Sequence, residues 1–146
     1  MRGLADGAPA AAPCREVRLS DGVDARDVHP VLWLYLGTIA RLHRDVAGVE
    51  LVVTSLWRPQ GPRPSLHSPA PGKAVRAADL RRWYLDSHHA ADDFANLLRH
   101  RYGAELGVVL EPEELTPEEI AERGGLDKIA GHLHVQLKST QWPALL

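Results

Sequence analysis

Gly131-His132-Leu133-His134-Val135-Gln136-Leu137 alternates polar and apolar side chains with a period of two. In a strand, that period puts His132, His134 and Gln136 on one face and Leu133, Val135 and Leu137 on the other. Two imidazoles then share an open face while the aliphatic residues pack a core. Imidazole is the commonest metal ligand and the side chain best matched to proton transfer near neutral pH. Earlier in the chain, His67 lies in a proline-rich loop and Asp79 in a strand-like stretch. His67, Asp79 and His134 together are two imidazoles and a carboxylate, the donor set of a zinc site with three protein ligands and a fourth position left for water or substrate. Zinc in such a site brings water to a pKa of about 7 and polarises a carbonyl, so hydrolysis becomes feasible at neutral pH. His132, on the same face as His134, is placed to act as a general base or to stabilise the tetrahedral intermediate.

These side chains need elements to position them, and the hydrophobic pattern supplies candidates. Arg15 to Leu19 alternates and reads as a short edge strand before a turn at Ser20-Asp21-Gly22. After Asp27, with Pro30 suited to a first turn, the spacing predicts a helix from about Val28 to Val46, closed by Gly48. Leu32, Tyr35, Leu36, Ile39, Leu42 and His43 form its inward stripe, and Trp33 reads as core or rim packing. Val49 to Ser55 is short, β-branched and predicted to be a central strand. Arg58 to Gly72 holds too many prolines for regular structure and reads as a long surface loop, a type of segment that is often functional. Val75 to Arg81 resumes a strand with Ala77, Asp79 and Arg81 on one face. Ser87 caps a helix from about His88 to Arg101, with Ala91, Phe94, Ala95 and Leu98 inward and Gly103 at its end. Gly107 to Glu111 reads as a strand, and Thr116-Pro117-Glu118-Glu119 as the capped start of a short helix to about Arg123. Trp142-Pro143 ends the domain. The fold expected is α+β: a small, mostly antiparallel sheet with ligands on one face and helices packed on the other.

Bulk properties bound the function. At 146 residues, 45% hydrophobic and 25% charged, the chain fits one globular domain, residues 14–146, behind a Pro/Ala-rich disordered tail, residues 1–13. A net charge of -2 without a basic stripe argues against nucleic acid. Cys14 is the sole cysteine, so an intrachain disulfide and a thiolate metal cluster are both excluded. No run reaches the roughly 18 apolar residues of a membrane span, and Met1 to Pro13 lacks the apolar core of a secretory signal. The expectation is a protein that is cytoplasmic when made, a state shared by lysis proteins that a separate pore releases to the cell wall.

Ser65-Leu66-His67, Arg76-Ala77-Ala78-Asp79-Leu80 and His132-Leu133-His134, preceded by Thr54-Ser55-Leu56-Trp57-Arg58-Pro59, resemble the motifs of a zinc peptidase superfamily. Its members include D-alanyl-D-alanine carboxypeptidases, lysostaphin-type endopeptidases and the hedgehog N-terminal domain, and the resemblance covers about Val49 to Leu137. It implies the fold of those proteins, Zn²⁺ on His67, Asp79 and His134, His132 as catalytic auxiliary, and Arg58 as a substrate or transition-state contact, with Ser65 and Gln136 beside the substrate. It further implies hydrolysis of amides in peptidoglycan stem peptides by a carboxypeptidase or an endolysin-type endopeptidase of bacterial or phage origin. The chain departs from the pattern in three places. The His67–Asp79 step is longer, with the excess in Ser68 to Lys73. Val75 stands where the family has glycine. Gly131 stands where the carboxypeptidase branch has its catalytic glutamate, three residues before the last histidine. His132 as base, a carboxylate such as Asp127, and metal binding without turnover each answer the last departure. Two rival functions follow: a non-catalytic zinc-binding module of the same fold, such as a phage structural or interaction protein, and a zinc amidohydrolase acting on a small amide. Simpler roles also exist for single residues, with Asp79 paired to Arg76 or Arg81 and Arg58 as a plain surface charge. Glu111 to Glu122 reads as a solvated face and cap, and His29 and His43 receive no role.

Overall fold

The computed structural model describes residues 17–59, 65–70, 72–82, 88–111, 116–125 and 131–138. The expected tail, Cys14, Arg15, Glu16, the Ser87 cap, Asp127 and Trp142-Pro143 lie outside the described residues. The elements run β1 (Val17–Leu19), α1 (Pro30–Ala47), β2 (Leu51–Ser55), β3 (Ala77–Leu80), α2 (His88–Tyr102), β4 (Leu106–Glu111), α3 (Pro117–Glu122) and β5 (His132–Leu137). One five-stranded sheet has the order β1-β2-β3-β5-β4. β1 is parallel to β2, and the other neighbours are antiparallel. The α+β class and the mostly antiparallel sheet are thus as the sequence pattern predicts.

α1 starts two residues later than expected, at Pro30, because a proline ring disfavours helical backbone in the residue before it. His29 therefore caps the helix, its Nδ1 accepting the Val31 N–H at 3.1 Å, and Asp27 sits outside the helix with a left-handed φ of 57°. Gly48, at φ 75°, ends α1 and donates its N–H to the Arg44 carbonyl, a conformation that glycine adopts without the penalty a Cβ brings. The inward stripe is as the spacing predicts: Leu32, Leu36, Ile39 and His43 are buried, and Tyr35, Leu42 and Trp33 pack against the core. His43 is a core histidine, its Nδ1 donating to the Val49 carbonyl and its ring edge-on to Phe94.

α2 buries Ala91, Phe94, Ala95 and Leu98. Gly103 follows it because a Cβ there would come within 2.3 Å of the Arg99 carbonyl oxygen. α1 and α2 share one hydrophobic cluster with the alternate strand residues Leu51, Val53, Ala78, Leu80, Leu106, Val108, Leu110, Leu133, Val135 and Leu137. The period-two pattern of β5 is reproduced, with Leu133, Val135 and Leu137 buried and His132, His134 and Gln136 partly exposed. The opposite face of the sheet is thus left for polar side chains. α3 stands apart from the core with no buried residue and is held by a Thr116/Glu119 capping box. Among the described residues, no helix is long and apolar enough to cross a membrane.

Candidate metal centre

Strand register brings the first two groups together. β3 pairs with β5 so that Asp79 lies opposite His134, and directly opposed residues on one face have neighbouring side chains. The His134 ring nitrogen Nδ1 lies 2.8 Å from Asp79 Oδ1. On the other side of β3, a bulge in β2 makes Val53 pair with Leu80 and Ser55 with Asp79, so one extra residue, Thr54, stands between them. Thr54 donates its hydroxyl to the Asp79 carbonyl, and the bulge leaves Ser55 beside Asp79. Ser55 Oγ accepts from Arg58 Nε at 2.7 Å, and Arg58 Nη2 bonds Asp79 Oδ2. One carboxylate oxygen is therefore held by a guanidinium, and the other faces the imidazoles.

The third group comes from the loop that the sequence marks by its prolines. His67 is pinned over the sheet by backbone bonds: its carbonyl accepts from Arg58 N–H, and the Leu66 carbonyl accepts from Arg76 N–H. Ser65 tightens this segment, its N–H donating to the Ser68 carbonyl and its Oγ accepting the Ser68 N–H. Ser65 thus shapes the His67 loop. The extra length between His67 and Asp79 is absorbed in a turn in which Lys73 N–H bonds the Ala70 carbonyl and Gly72 has φ 80°. His67 Nε2 still lies 3.3 Å from Asp79 Oδ1.

Hydrogen placement shows that this cluster suits a cation. His67 Nδ1 is 2.7 Å from the Leu56 carbonyl, which can only accept, so Nδ1 donates there and Nε2 is the ring nitrogen turned to the site. That Nε2 is buried, has no hydrogen-bond partner among the described residues and faces a carboxylate oxygen. His134 is held at both ring nitrogens, Nε2 donating to Gln136 Oε1 at 2.8 Å and Nδ1 meeting Asp79 Oδ1 at 2.8 Å. Two acceptors facing each other in a buried site repel unless a proton or a metal ion lies between them. His67, Asp79 and His134 each offer one atom, and these atoms all lie within 4.8 Å of one another. Tetrahedral coordination at metal distances of about 2.0–2.2 Å spaces neighbouring ligand atoms about 3.3–3.5 Å apart. The 3.3 Å His67–Asp79 separation already has that value, and the 2.8 Å His134–Asp79 separation would widen by about half an ångström. The residues present fit a small divalent cation.

The electrostatics agree. Burial would raise the Asp79 carboxyl, but the hydrogen bond with His134 and the imidazoles of His67 and His132 beside it outweigh this and hold Asp79 well below the usual carboxylate range. Its hydrogen bond to Asp79 raises the His134 imidazole against the opposing effect of burial, with Gln136 adding to the rise. A divalent cation here would take the place of a proton between His134 Nδ1 and Asp79 Oδ1.

The structure brings together Asp79, His67, His134, His132 and Arg58. His132 Nε2 is 3.4 Å from Asp79 Oδ1 and belongs to a side chain 31% exposed, against 7% for His67, so it stands at the open side. Gln136 reaches the site through His134, and Gly107, opposite it on β4, makes room because a Cβ there would come within 3.1 Å of Gln136 Cγ. Glu111, which the sequence pattern assigns to a solvated face, also borders this group. It pairs with His132 across β4 and β5, and its Oε2 lies 3.4 Å from His132 Nε2. Sequence alternation places Glu111 on a strand face but says nothing of which strand residue it opposes. Comparison of the chain with family models, curated proteins and solved structures gives no match.

Proposed function

We propose that the chain is a zinc-dependent hydrolase of amide bonds, acting on peptidoglycan stem peptides in the manner of the peptidases its motifs resemble. The observation that carries this is the buried His67 Nε2, without a hydrogen-bond partner among the described residues, facing the Asp79 oxygen that also meets His134. Two histidines and a carboxylate are a donor set that catalytic zinc uses, with one position left open. When bound, zinc supplies Lewis acidity toward a carbonyl and acidifies water.

The chain's own residues account for the rest. Leu56 and Gln136 fix the two imidazoles, and Arg58 fixes the carboxylate through the oxygen that faces away from the ligand side. Hydrolysis puts the hydroxyl of water on the carbonyl carbon and a proton on the departing nitrogen. His132, half in solvent beside Asp79, is the imidazole placed to move that proton at Nε2. Arg58, with a side chain 48% exposed, both orients Asp79 and reaches the surface where a substrate would lie.

Zinc-loaded protein is expected to release new amines from purified peptidoglycan, and His132→Ala to lower that rate about 100-fold or more with zinc retained. One zinc per chain with no amine release, and with His132→Ala silent, would replace the hydrolase by a non-catalytic zinc-binding module. Arg58→Ala is expected to weaken zinc binding about 10–100-fold, because the ligand carboxylate loses the group that orients it. Competition with a chromogenic chelator measures this, and an unchanged affinity would leave Arg58 a surface charge.

A further inference from the structure

A cavity of about 230 Å³ has no metal-centre residue in its lining. Part of that lining is Arg26, Asp27 and Trp57, and the other part includes Pro69, Gly72 and Lys73, from the turn that holds the extra length between His67 and Asp79. The residues that lengthen that step thus build a wall. The volume is below that of pockets for drug-sized ligands, so the cavity suits a small molecule or the end of a larger one.

Arg26 is exposed yet held in place. Asp24 Oδ2 accepts from its Nε at 2.9 Å and lies 2.6 Å from its Nη2, and the guanidinium carbon is 4.0 Å from the centre of the Trp57 ring. Trp57 is itself fixed, its N–H donating to the Asp24 carbonyl at 3.0 Å. These contacts use Nε and Nη2 and leave Nη1 for another acceptor. Lys73 and Asp27 line the same small cavity with opposite charges, and among the described residues neither makes an ion pair. Backbone bonds keep them on separate segments: the Asp27 carbonyl accepts the Val75 N–H at 2.7 Å, and the Lys73 N–H is tied to the Ala70 carbonyl at 3.0 Å. Asp27 is also the one described residue other than glycine with a left-handed φ, 57°, a conformation that clusters at binding sites.

We propose that this cavity binds a zwitterionic amino-acid unit, a group that carries an ammonium and a carboxylate on the same carbon. Lys73 Nζ and Arg26 Nη1 take the carboxylate, Asp27 takes the ammonium, and Trp57 and Pro69 pack the carbon skeleton. Charge balance favours this class over a plain anion. The cations Arg26 and Lys73 are already matched by the carboxylates Asp24 and Asp27, two against two, so a ligand of zero net charge leaves the site neutral and a phosphate does not. The site needs no metal, and it stands or falls apart from the hydrolase reading.

The probe is alanine, compared with propionate and ethylamine, each of which keeps one of its two charges. Titrations use the full chain without metal, so that alanine cannot act by chelating zinc, and are followed by ¹H–¹⁵N correlation at the Trp57 indole and the Gly72 amide. Alanine is expected to move both signals and to bind at least about 10-fold more tightly than propionate or ethylamine, because each of these leaves a charged group of the site unpaired. Lys73→Gln and Asp27→Asn, the second chosen because asparagine keeps the left-handed backbone, are each expected to weaken alanine binding at least about 10-fold. The comparison of the three ligands needs only the parent chain and holds whatever the variants do to folding. Alanine that leaves both signals in place, propionate or ethylamine that binds as tightly as alanine, or either folded variant with parental affinity would overturn the proposal.

Discussion

Asp79→Asn is expected to weaken zinc binding by at least about 100-fold and to remove hydrolysis with it, while the chain stays folded. The carboxylate is almost fully buried and acts with both oxygens, Oδ2 toward Arg58 and Oδ1 toward the imidazoles. An amide of the same shape has one oxygen and one NH₂ group. If the NH₂ faces Arg58, two donors oppose each other; if it faces the imidazoles, the lone pair that a metal needs is gone. Neither orientation satisfies both sides, and the negative charge that neutralises the cation is lost in each. Equilibrium dialysis against zinc, followed by metal analysis, measures the effect. Asp79→Asn that still holds one zinc per chain at parental affinity would remove Asp79 from the ligand set.

The second large effect is opposite pH dependence in the metal-free and zinc-loaded protein. Asp79 is held below its ordinary value, so its contribution to stability is present above about pH 3.9 and is lost as pH falls through the lowered folded value. His134 is raised, so its contribution is complete below about pH 6.5 and is lost as pH rises through the raised folded value. The metal-free pair therefore contributes most between about pH 4 and 6.5. Zinc needs the His134 proton gone, so its stabilisation grows over the range in which the pair weakens. At zinc concentrations 100 times Kd, ligand binding adds about 2.7 kcal/mol, or roughly 5–10 °C in Tm for a chain of this length. Melting curves from pH 5.5 to 8.5 should show the metal-free Tm falling and the zinc increment growing. A zinc increment independent of pH would mean that the metal does not displace this proton.

What the sequence reveals and what it hides follow from how each feature is encoded. Alternation in β5 and the helical stripe of α1 are local periodicities, so the inward and outward faces of Leu133/His134 and of Leu36 are legible in one dimension. His67, Asp79 and His134 are legible as a set because few other residue types serve a metal, and the structure places them within reach of one another. The late start of α1 was legible in principle from Pro30, whose effect on the residue before it displaces the cap from Asp27 to His29. Partners set by register were not legible. Glu111 against His132 and Ser55 against Asp79 depend on how strands slide past each other and on a bulge at Thr54. A shift by two residues keeps every side chain on its face and changes every one of these pairs. Arg58 shows the same limit, since nothing in its spacing indicates that it grips the far oxygen of Asp79.

Crystals grown with zinc, and an anomalous difference map recorded at the zinc absorption edge, test the metal centre most directly. The prediction is a single strong peak about 2.0–2.2 Å from His67 Nε2, Asp79 Oδ1 and His134 Nδ1. A map with no peak there, or with zinc held by other side chains while these three keep their metal-free contacts, would contradict it.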